Sequence, residues 1–183
     1  MDQERDSCGF GLLVNAEQPA SNQLIRQALG GLARLTHRGA VGEDGLSGDG
    51  CGILLDLDQH YFIHVAQKAG LAIKEICAVG MCFLNPNQIE QQQSIINKQL
   101  QQQSLSVAGW RPVPIDKQVI GDIAGTSLPA IYQIFIDLSN SQWSGVELER
   151  QLFIAQKQVE WQLKDDQDFC LCSLSSQTIV YKA

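Results

Sequence analysis

The residue best equipped for chemistry in this sequence stands eighth. Cys8 follows the polar stretch of residues 1–7 and opens the run Cys8-Gly9-Phe10-Gly11-Leu12-Leu13-Val14. If the Ser7–Cys8 bond is cut, one residue carries both a thiol and a free α-amine. That amine titrates near about 7.7–8, so at neutral pH it can take the thiol's proton directly or through one water, whereas a lysine at about 10.4 cannot. Uncut, the nitrogen is an amide and no such base exists. Position alone also fits a plainer role for Cys8, a small hydrophobe buried at the start of a strand. The leader carries Asp2, Glu4 and Asp6 against Arg5 and has no apolar core. It therefore reads as a short propeptide rather than a secretory signal.

A second constellation shifts the balance towards chemistry. Residues 36–53 read Thr-His-Arg-Gly-Ala-Val-Gly-Glu-Asp-Gly-Leu-Ser-Gly-Asp-Gly-Cys-Gly-Ile, with six glycines in the window. Such a density of glycine marks sharp turns or a close backbone approach. Thr36-His37-Arg38-Gly39-Ala40 followed by Gly48-Asp49-Gly50-Cys51-Gly52 resembles the class-II glutamine amidotransferase domain of the glutamate synthase large subunit. Cys51 stands where alanine is usual in that family, and Glu43-Asp44-Gly45 where Ala-Asp-Pro is common. The likeness runs on through Gly109-Trp110-Arg111-Pro112-Val113-Pro114, Gly121-Asp122-Ile123-Ala124 and residues 129–136. It continues in residues 148–153 and 172–182.

The resemblance implies a mechanism and a fold. Cys8 sulfur would attack the side-chain amide of glutamine, its own α-amine handling the proton. A γ-glutamyl thioester would form, ammonia leave and water release glutamate. Arg38 and Gly39 would shape the wall beside Cys8, although Arg38 could equally be a structural anchor of its loop. Asp49 fits the holding of its own turn through side-chain-to-backbone bonds better than contact with substrate. The fold implied is α+β, a four-layer α/β/β/α sandwich of the N-terminal-nucleophile hydrolase type, here incomplete. On this reading residues 1–7 are a leader and residues 8–183 are the N-terminal part of the amidotransferase domain.

The family's domain is roughly twice as long, and its later half supplies an arginine loop, an Asn-Gly pair and an aspartate that hold substrate. No Asn-Gly dipeptide occurs in these 183 residues. The expectation is a glutaminase that is weak or inactive without those segments, supplied in cis or in trans. FMN and an iron–sulfur cluster are implied only for a full-length family enzyme. The alternative is a non-catalytic binding or regulatory module that keeps the first half of the fold, with open sheet edges that favour self-association. An amidotransferase for phosphoribosylamine or asparagine synthesis fits the Thr-His-Arg-Gly-Ala and Gly-Trp-Arg-x-Val-Pro segments less well.

The elements that must position these residues follow from periodicity. Leu24, Ala28, Leu32 and Leu35 share one face of a helix over 22–35, and Leu148, Leu152, Ala155 and Val159 one face of a helix over 146–163. A third helix is expected at 60–69, ended by Gly70. The glutamine-rich stretch 87–105 keeps Ile89, Ile96 and Leu100 in helical register and predicts a solvated surface helix. Strands are expected at 9–14, 52–57, 75–84, 129–138, 168–174 and 177–182, that at 75–84 buried on both sides. No linker or repeat suggests a second domain.

Composition limits the partners. With 44% hydrophobic and 18% charged residues and a net charge of −7, the chain is globular and lacks the basic face that nucleic acid requires. No apolar run reaches the ~20 residues needed to span a bilayer, and a cytoplasmic location is expected. The six cysteines stand at 8, 51, 77, 82, 170 and 172. Four lie in apolar strand-like runs, where reduced cysteine packs as a small hydrophobe. Cys170 and Cys172, two apart, should share a strand face. No metal site is expected from them, nor from His60 and His64, which sit one helical turn apart on a helix that packs on the sheet.

Overall fold

A computed structural model describes residues 9–16, 21–35, 39, 41–48 and 50–182. The chain divides into two compact units, one of Met1–Ile53, Asp116–Leu128 and Lys182–Ala183, the other of Leu54–Ile115 and Pro129–Tyr181.

In the first unit, helix α1 (Asn22–Ala33) starts where Ser21 Oγ accepts from the Leu24 amide at 3.3 Å. Leu24, Ala28, Leu32 and Leu35 are half-buried while the other residues of the helix are exposed, the stripe their spacing predicts. The short helix α4 (Asp122–Gly125) and the 3-10 turn Lys117–Val119 belong to the same unit. The strand expected at 9–14 does not form. Those residues have no ladder partner among the described residues, and Phe10, Leu12 and Val14 are exposed.

The second unit is built on strand β2 (Cys77–Leu84), eight residues with no charge and no proline. Such a run suits a strand covered on both faces, and seven of its eight residues are buried. It is one of two inner strands of a sheet ordered β3-β4-β2-β5, with β3 at Ser106–Pro112, β4 at Ala130–Asp137 and β5 at Cys170–Ser175. All three pairings are antiparallel, with Gly80 opposite Ile134 on one side and Leu174 on the other. Strands β1 (Gly52–Asp56) and β6 (Thr178–Lys182) form a separate two-stranded sheet.

Because side chains alternate across a strand, β2 serves two cores. Ala78, Cys82 and Leu84 face helices α3 (Ile89–Gln102) and α5 (Gly145–Gln162), which contribute Ile96, Leu100, Leu148, Leu152, Ala155 and Val159. Cys77, Val79 and Met81 face the other way, towards Phe62 and Ala66 of helix α2 (Gln59–Lys68) and Ile179 of β6. Helix α2 begins on the Asp58 cap and ends before Gly70, whose φ of +79° favours glycine. This unit thus stacks a helical layer, a four-stranded sheet and a layer containing the β1–β6 pair and α2.

Two bulges shape the sheet edges. Register slips by one residue at Ala108 in β3 and at Cys172 in β5. Leu171 and Leu174, three apart, therefore both enter the helical-side core.

Helix α3 corrects one expectation. Its glutamines are not all solvated: Gln92 and Gln99 are buried. Gln92 Nε2 donates to Asp166 Oδ2 at 2.7 Å, and its Oε1 accepts from the Asn85 amide at 2.9 Å. A buried amide is tolerable only when so partnered. Gln59 plays the same part on the opposite side, accepting from the Cys77 amide and donating to the Cys77 and Ser176 carbonyls.

Candidate active-site loop

Of the residues expected to carry chemistry, Cys8, Arg38 and Asp49 lie outside the described residues, and Gly39 is an exposed bend. What is described is the turn that separates Arg38-Gly39 from Asp49. Val41 and Gly48 form an antiparallel bridge, the Gly42 amide donates to the Ser47 carbonyl at 2.7 Å, and the Gly45 amide to Gly42 O at 3.0 Å. Gly45 has φ +70°, which a side chain would strain.

The interior of this turn is organised by Asp44. Its Oδ1 accepts from the amides of Leu46 at 3.1 Å and Ser47 at 2.8 Å, while Oδ2 accepts from the Ser47 hydroxyl at 2.5 Å. Such a carboxylate mimics a backbone turn. The same side chain reaches out of the turn: Oδ2 also accepts from the Ile123 amide at 3.1 Å. Ser47 Oγ, having donated to Asp44, accepts from the Ala124 amide at 3.0 Å. Two orphan donors of the first turn of α4 are thus satisfied by a loop more than seventy residues earlier in sequence.

These bonds explain the electrostatics. The Ser47 hydroxyl, followed by the amides of Ser47, Ile123 and Leu46, holds the Asp44 carboxyl well below its ordinary 3.8. A carboxylate accepting several N–H and O–H bonds is stabilised in its charged form. They also explain a glycine. Gly121, the residue before α4, has ordinary extended angles, φ −65° and ψ 154°. A Cβ there would nonetheless overlap Asp44 Oδ2, Ser47 Oγ and the Ser47 backbone nitrogen.

Sequence reasoning placed the turn-holding carboxylate at Asp49 and passed over Asp44, Ser47 and Gly121 as a set. The available signal was the spacing Asp44-x-x-Ser47 inside a glycine-rich turn. Its partner, α4, is too remote in sequence to be paired by pattern.

Cys77 and Cys82 are buried; burial and the neighbouring Asp137 push the Cys77 thiol up to about 11, and burial first of all raises that of Cys82. Such thiols are poor nucleophiles and poor ligands. Among the described residues no cluster of three or more His, Cys, Asp or Glu could hold a metal ion. His60 and His64 are exposed on α2. Within the same limits, no helix is long and apolar enough to cross a membrane.

The fold is α+β with antiparallel sheets, and a glycine-rich turn follows Arg38-Gly39 in sequence. The profile of the class-II glutamine amidotransferases matches residues 8–183, and the chain belongs to that family. Glutamate synthases are among the curated proteins it resembles. The NADPH glutamate synthase large chain of Bacillus subtilis is 36% identical over 182 residues, 98% of this chain and 12% of that one. The chloroplastic ferredoxin-dependent glutamate synthase of Oryza sativa is 36% identical over 186 residues, with the same coverage of 98% and 12%. The ferredoxin-dependent glutamate synthase of Pyropia yezoensis is 35% identical over 189 residues, covering 100% and 12%. The chain therefore spans about one eighth of the length of these relatives.

Proposed function

We propose that this chain is the glutaminase portion of a glutamate synthase, with Cys8 as the nucleophile. Loss of residues 1–7 frees the Cys8 α-amine, which accepts the thiol proton as sulfur attacks the carboxamide of glutamine. The tetrahedral intermediate collapses to a γ-glutamyl thioester and ammonia, and water then releases glutamate. Arg38 and Gly39 form the wall of the site, and Asp49 holds its own turn. Residues 41–48, between these motifs in sequence, form the Asp44–Ser47 turn braced on α4, and that ordered frame supports the reading. Its support from comparison is the family match, which begins at Cys8.

The finished domain is a four-layer α/β/β/α sandwich, of which the helical layer, the four-stranded sheet and the β1–β6 layer are three. These 183 residues lack an Asn-Gly pair, so the oxyanion donors come from other segments, in cis or in trans. Loss of a single such donor costs about 10²–10³-fold in rate, so the isolated chain is a weak glutaminase. Addition of the released ammonia to its carbon acceptor belongs to those other segments, in the cytoplasm. FMN and iron–sulfur chemistry reside there too.

Two measurements test this. Intact mass should show residues 1–7 removed, and a diazoketone analogue of glutamine should alkylate Cys8 ahead of the other five cysteines. A retained leader together with an unmodified Cys8 would overturn the enzyme reading in favour of a non-catalytic module.

A further inference from the structure

The β5 bulge brings together two thiols that the glutaminase chemistry does not use. In a regular strand, residues i and i+2 rise about 6.6 Å, near the upper limit of Cα separation that a disulfide spans. Here Cys172 is the extra residue of the bulge, and Cys170 Sγ and Cys172 Sγ stand 3.7 Å apart on one face. Both are partly accessible and in the thiol form. Strand β5 is an outer strand of its sheet, so no further ladder in that sheet covers its far side among the described residues.

From this juxtaposition we propose that Cys170 and Cys172 are a redox-active dithiol that peroxide converts reversibly to an intrastrand disulfide. One thiolate attacks a peroxide oxygen, breaking the O–O bond, expelling hydroxide and leaving a sulfenic acid. The second thiol then attacks that sulfur, water departs and the S–S bond forms. Two S–H bonds and one peroxide become one S–S bond and two waters. Selectivity follows from placement. Cys82, nearest in the sheet, pairs with Leu171 and points into the opposite core, where burial keeps its thiol protonated. Cys77 is buried beside Asp137. The ring closes over Leu171 alone, so it is strained and gives up its bond readily to a dithiol reductant.

The test uses the full chain with Cys8 and Cys51 replaced by serine, which removes the nucleophile and the exposed thiol. After hydrogen peroxide and thiol alkylation, the peptide carrying residues 170–172 should lose two hydrogens and escape alkylation. Dithiothreitol should restore both alkylation sites. Phenylarsine oxide, which bridges adjacent thiols, should bind about 10²-fold more weakly to Cys170→Ser or Cys172→Ser, because chelation is lost. An intermolecular dimer, a sulfinic acid at either position, or equal arsenical affinity in a serine variant would overturn the proposal. The peptide measurement needs no substitution in β5, so it decides the matter even if a serine variant folds poorly.

Discussion

Gly121→Ala separates a glycine chosen for space from one chosen for flexibility. Its angles are open to any residue. With free space around it, alanine would therefore stabilise the protein by about 0.4–1 kcal/mol through the unfolded chain. Space is what it lacks: the added methyl would overlap Asp44 Oδ2, Ser47 Oγ and the Ser47 backbone nitrogen. Two side-chain atoms could swing aside, but the backbone nitrogen cannot without moving the whole turn. Overpacking of this kind costs about 1–3 kcal/mol. Retreat of the turn would lengthen the 3.1 Å and 3.0 Å bonds to the Ile123 and Ala124 amides. Urea unfolding should show the midpoint falling by about 1 M, for a slope of about 1–3 kcal/mol per M. Hydrogen exchange should quicken at Ile123 and Ala124 first. Adding Ser47→Ala should relieve only part of the cost, since the Ser47 nitrogen remains. A Gly121→Ala protein as stable as its parent, with both amides still protected, would refute the docking of this turn on α4.

Other expectations follow from the same geometry. The Asp44 carboxyl is held below its ordinary 3.8, so its contribution is complete well above that value and is lost as pH falls through it towards strong acid. Asp44→Asn should flatten that acid limb in pH-dependent unfolding while lowering stability at pH 7. Leu152→Ala, in the core between α5 and β2, should cost about 2–5 kcal/mol, read as a lower melting temperature. Gln92→Leu should cost about 1–3 kcal/mol by stranding the Asn85 amide, with fastest loss of exchange protection at that residue.

Much of the second unit was legible from local pattern because its cores are periodic. The four residues named for α5 are its four buried ones, and β2 declares its double burial by eight uncharged residues in a row. The failures are tertiary. Phe10, Leu12 and Val14 look like a strand by composition, but a strand needs a neighbour and none pairs with them among the described residues. Gln92 and Gln99 look solvated by type, yet Gln92 is buried because Asn85 and Asp166 supply exact complements to its amide. Strand β3 went unread because Gly109-Trp110-Arg111 drew attention as a motif, and its bulge at Ala108 breaks the alternation. In the candidate site, glycine density located the turn, but only contact across the chain reveals why Asp44 and Gly121 belong together.

The position of β2 has a consequence during synthesis on the ribosome. Its first neighbour in the ladder, β4, begins 46 residues after β2 ends, from Leu84 to Ala130. At about 5–20 residues per second, the nascent strand waits several seconds for that edge to be made. An uncharged, proline-free segment is a hazard over such an interval. Helix α2, already made, can shelter the side bearing Val79 and Met81, and α3 emerges next to cover the other, so what stays open until β4 arrives is the ladder edge of the strand.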